Sequence, residues 1–62
     1  MNKIAFKNYL TACAMDLNSM KDALAYAETR AQNEDERKSV RSIRNKLSNV
    51  ETAMKYEFGE LA

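Results

Sequence analysis

No proline interrupts this chain, and its one glycine stands at position 59. Proline and glycine are the strongest punctuation for strands and turns, so nothing ahead of Gly59 obliges the backbone to leave a helix. Alanine, leucine, methionine, lysine, glutamate and arginine supply high helix propensity throughout. The apolar spacing agrees. Phe6, Leu10, Cys13, Leu17, Met20, Leu24, Ala27 and Ala31 follow alternating steps of four and three, the repeat of a helix with one apolar seam. A second seam runs through Val40, Ile43, Leu47, Val50 and Met54 to Phe58 and Leu61. Its slip at Phe58 is the drift a straight helix shows against a 3.5-residue repeat.

The register breaks at Gln32-Asn33-Glu34-Asp35-Glu36, where acidic charge is concentrated. Asn33 suits the N-cap of a second helix, with Glu36 placed to reach back to the Asn33 amide. The carboxylates of Glu34, Asp35 and Glu36 face the positive end of the helix dipole. Gly59 fits a C-terminal cap in left-handed conformation. The expected fold is therefore all-α: one helical-hairpin domain over residues 1–62, with helix 1 at about 3–31, a turn at about 32–33 and helix 2 at about 34–58. So short a connection requires the helices to run antiparallel.

Composition narrows the function. With one cysteine and no histidine, the chain offers no internal disulfide and none of the usual zinc spacings. It also lacks the commonest general base and any Ser/His or Cys/His nucleophile pair. No catalytic, cofactor-binding or metal-binding residue is expected, nor a small-molecule substrate, and the chain is not read as an enzyme. Glu34, Asp35 and Glu36 lack the ligand spacing of a calcium loop and read as cap chemistry. No long uncharged apolar run suggests a membrane span. Lys3, Lys7 and Asp16 break up the first twenty residues, so a secretory signal is not expected and the cytoplasm is the expected compartment. Ten Lys+Arg against nine Asp+Glu give a formal charge of +1, a weak balance for a nucleic-acid binder.

A chain of 62 residues buries little surface, and without a disulfide or metal the remaining route to stability is association. At 100° per residue, Ile4, Met15 and Tyr26 fall nearly opposite the helix 1 seam, with the small residues Ala12, Ser19 and Ala23 beside them. A helix apolar on several sides belongs inside an assembly. These six residues are the candidate dimer or partner interface. The expected assembly is a homodimer forming a four-helix bundle, acting as an adaptor, inhibitor or small regulator toward another protein. Cys13, Met20 and Met54 sit at seam positions and read as core, with Cys13 a buried, inert thiol; Phe58 and Leu61 should close the bundle end near Phe6.

The alternative is a nucleic-acid-binding regulator. Arg37, Arg41, Arg44 and Lys55 share one angular sector beside the helix 2 seam, a stripe that suits phosphates. The same arginines also suit bridges to acids of helix 1 such as Asp16 or Glu28, while Glu34–Lys38 and Glu51–Lys55 have the spacing of pairs within a helix. The plan of two similar helices, a short acidic turn at mid-chain and Phe58-Gly59 late in the chain resembles the Rop family of plasmid-copy-number RNA-binding hairpins. That resemblance implies a dimeric four-helix bundle and RNA as a ligand class. The helix 1 sector that contacts RNA in the family corresponds here to Cys13, Leu17, Lys21 and Glu28, so its binding residues do not carry over, and the likeness is architectural.

Overall fold

A computed structural model describes residues 3–61; Met1, Asn2 and Ala62, the ends of the expected 1–62 domain, lie outside them. Helix α1 spans Lys3–Thr29 and helix α2 spans Glu34–Phe58. The two pack against each other as an antiparallel hairpin, a rod of 48 × 17 × 16 Å with no strand among the described residues.

Each boundary has a local cause. α1 ends two residues before the expected position. Its last turn tightens, with Arg30 N–H donating to Ala27 O (3.1 Å) and Ala31 N–H to Glu28 O (3.3 Å). Such three-residue closures satisfy the carbonyls a helix end leaves over. Asn33, in extended backbone, caps α2: its side-chain oxygen accepts from Glu36 N–H at 2.8 Å. The Glu36 carboxylate reaches back as well, but to Gln32 N–H (2.8 Å) rather than to the expected Asn33 amide, and so ties the turn one residue earlier. At the far end Gly59 takes φ 79°, and its N–H donates to Lys55 O at 2.8 Å. The positive φ matches expectation; the ψ of −166° places it in an extended, glycine-specific region instead of the left-handed helical one.

The seam between the helices corrects the sequence reading by half. The rows Leu10, Leu17, Leu24, Ala31 and Val40, Leu47, Met54, Leu61 face inward, as expected from their spacing. The second row on each helix is one residue later than the apolar pattern indicates. Ala14, Lys21 and Glu28 turn inward on α1, and Arg44 and Glu51 on α2. Cys13, Met20 and Ala27 are exposed, as are Ile43 and Val50, so Cys13 is not a buried thiol and Met20 is not core. The physical reason is that each helix here has a single neighbour. Turning each stripe slightly aside lets Lys21 meet Glu51 at 3.0 Å and Glu28 meet Arg41 and Arg44, while the leucine rows stay between the helices.

Among the described residues only Leu17 is buried, at 8% exposure. Where the chain ends, Phe6 and Phe58 meet edge to face with ring centres 5.7 Å apart, as expected for the bundle end. Together with Leu10 and Leu61 they line a shallow apolar cleft.

Candidate functional site

Surface, not cavity, is what this hairpin offers. Three faces matter, and the heptad rows define them.

The first is the outward face of α1, opposite the seam. Ile4, Met15 and Tyr26 are 74%, 59% and 67% exposed, and Ala12, Ser19 and Ala23 are exposed beside them. All six candidate interface residues therefore lie at the surface. Arg30 stacks its guanidinium 4.8 Å from the centre of the Tyr26 ring, which orders that side chain without covering it.

The second face was missed by the sequence reading. Cys13, Met20 and Ala27 each precede an inward position of α1, and Ile43 and Val50 each precede one of α2. An antiparallel pair has an approximate two-fold axis normal to the plane of the two helices. Equivalent steps on both helices therefore lead to the same side. Cys13, Met20, Ala27, Ile43 and Val50 thus share one flank of the rod, with Phe6 at its open end, where the ring meets Phe58, and all six are exposed. The signal was present in the sequence, since these residues are half of each apolar seam. It was hidden because the pattern does not say which half faces which neighbour.

The third face is the opposite flank, reached by stepping one position beyond the inward leucine rows. Thr11, Asn18 and Ala25 lie there on α1, and Arg41, Ser48 and Lys55 on α2. The basic stripe expected from sequence is partly consumed. Arg41 Nη2 donates to Glu28 at 2.9 Å, and Arg44 Nη1 donates to the other oxygen of the same carboxylate. Arg37 pairs with Glu34 at 3.2 Å, and Lys55 lies 4.0 Å from Glu60. Glu34 thus serves Arg37 in place of the expected Lys38, and Glu51 serves Lys21 across the hairpin in place of Lys55. Arginine bridging to Glu28 is as anticipated.

Glu28 is the electrostatic centre of this arrangement. The Arg41 hydrogen bond holds its carboxyl below the ordinary value near 4.5; desolvation opposes this, and the charges of Arg41, Arg44 and Arg37 add to the lowering. In return the Arg41 guanidinium is held still more basic than usual, chiefly by the same hydrogen bond.

No group of three or more His, Cys, Asp or Glu among the described residues is placed to hold a metal ion, and no helix among them is long and apolar enough to cross a membrane. No protein-family model matches the sequence, and no curated protein and no solved structure matches the chain.

Proposed function

We propose that this chain is a small non-enzymatic protein-interaction module that acts through its helical surfaces as a homodimer, an adaptor, inhibitor or regulator toward another protein. One observation carries the reading: with Leu17 alone buried among the described residues, ten large apolar side chains remain exposed on a rod of 62 residues. Exposed apolar side chains in this number are what association surfaces on small soluble domains present. The outward face of α1, with Ile4, Ala12, Met15, Ser19, Ala23 and Tyr26, is the surface offered to a partner protein.

The nucleic-acid reading has less to support it. Arg41 and Arg44 spend their charge on Glu28, and Arg37 on Glu34, so the stripe of Arg37, Arg41, Arg44 and Lys55 presents little unbalanced positive field to a phosphate backbone. Titrations with duplex DNA and structured RNA at low salt are expected to show no binding. Binding that weakens steeply with salt and falls in Arg41→Ala and Arg44→Ala would restore the alternative.

Sedimentation equilibrium from micromolar to near-millimolar concentration tests the main reading. A species of twice the 7.1 kDa chain mass is expected. A monomer across the whole range, with the helices intact by circular dichroism, removes the homodimer from it.

A further inference from the structure

We infer that the flank carrying Phe6, Cys13, Met20, Ala27, Ile43 and Val50 is where a second copy of this chain docks, leaving the outward face of α1 free. The inference rests on the interaction-module reading above and assigns the surface through which the module assembles.

Three observations converge on it. The first is area. A compact protein of this mass exposes about 4100 Å². The hairpin exposes 4959 Å². The surplus, on the order of 900 Å², is close to the roughly 800 Å² that each partner contributes to a standard interface.

The second is the rows. In a four-helix arrangement each helix has two neighbours, and its apolar stripe points between them. The hairpin satisfies one neighbour of each helix with the rows through Leu17 and Leu47. The unsatisfied half of each stripe, through Met20 and Val50, points to one side, where a second pair of helices with the same seven-residue repeat fits along the rod.

The third is the pattern across the flank. Its centre is uncharged, whereas Asp16 and Lys46 lie one position farther from the seam, at its margins, and Glu57 ends the row of Ile43 and Val50. An apolar centre with a rim of both signs suits a self-complementary, two-fold contact. The outward face of α1 is less suited: Ile4, Met15 and Tyr26 form a single line on one helix, interrupted by Asn8 and Asp22, and α2 does not extend it.

The test compares two double variants by sedimentation equilibrium, with helix content followed by circular dichroism. Met20→Glu with Val50→Glu is expected to weaken dimerisation about a hundredfold or more, because each places a carboxylate at the centre of the contact. Met15→Glu with Tyr26→Glu is expected to leave the dimer dissociation constant within about threefold. A dimer that survives the first pair, or is lost in the second, overturns the assignment while leaving the homodimer itself standing. Monomeric wild-type protein overturns both.

Because the first pair also lies on the hairpin, unmodified protein provides a second measurement. The reaction of Cys13 with a water-soluble disulfide reagent is expected to slow about tenfold or more as concentration carries the chain from monomer to dimer. An unchanged rate across that range, with the dimer verified by sedimentation, also overturns the placement.

Discussion

The two ends of this hairpin are held by different means. From mid-rod toward the turn, ion pairs join the helices beside the inward row of Leu24, Ala31 and Val40: Glu28 takes Arg41 and Arg44, and Lys21 takes Glu51. There too Asn33 caps α2, and three acids complement its dipole. Toward the open end, the contacts are apolar, with the Phe6 and Phe58 rings over Leu10 and Leu61. Half-exposed ion pairs contribute about 0–1 kcal/mol each, so the turn end gains alignment more than stability. The apolar end gains stability with little directional control. Neither suffices alone, and Leu17 lies between them.

Substitutions at four positions test that division. Leu17→Ala removes the one buried side chain among the described residues and is expected to lower stability by about 2–5 kcal/mol in thermal or urea unfolding, with the half-buried Leu47→Ala losing less. A loss for Leu17→Ala below that for Leu47→Ala would mean that the inward rows are wrongly placed. Phe58→Ala should lower stability by about 1–2 kcal/mol, since the ring is about half covered and meets Phe6 edge-on. Hydrogen exchange in this variant should rise first at the open end, and a uniform rise would erase the distinction between the ends. Asn33→Ala should lose about 1 kcal/mol through the missing cap, and Asn33→Gly only a few tenths.

Glu28→Gln should have the smallest effect at neutral pH, and its pH dependence is its signature. The folded carboxyl is more acidic than the unfolded one, so its contribution is complete above the ordinary value near 4.5 and is lost as pH falls through the folded value. The difference in melting temperature between wild type and Glu28→Gln should therefore be present at neutral pH and fade only as pH falls below the ordinary value near 4.5. A constant difference would assign the effect to packing.

Much of this architecture was legible because its causes are local. The N-cap at Asn33 and the positive φ at Gly59 follow from single residues and their neighbours. The two helices follow from propensity and spacing. What the spacing cannot supply is the direction from which a neighbour approaches. It located the middle of each apolar stripe, and the hairpin uses only one side of that middle, which is why Cys13, Met20, Ile43 and Val50 were expected inside and lie outside. Charge held the missing information. Lys21 and Glu28 on α1, seven residues apart, and Arg44 and Glu51 on α2, also seven apart, match sign for sign only when the helices run in opposite directions. The outward face of α1, by contrast, lies at the surface, because residues opposite a seam stay outside whichever flank turns in.

The ion pairs act as a vernier on the sliding of one rod along the other. Displacing α2 by one heptad in one direction sets Lys21 against Arg44; displacing it the other way sets Glu28 against Glu51. Leucine rows alone would accept either displacement, because they repeat. The charges admit one offset and penalise both of its nearest rivals, so they help to hold the hairpin in register.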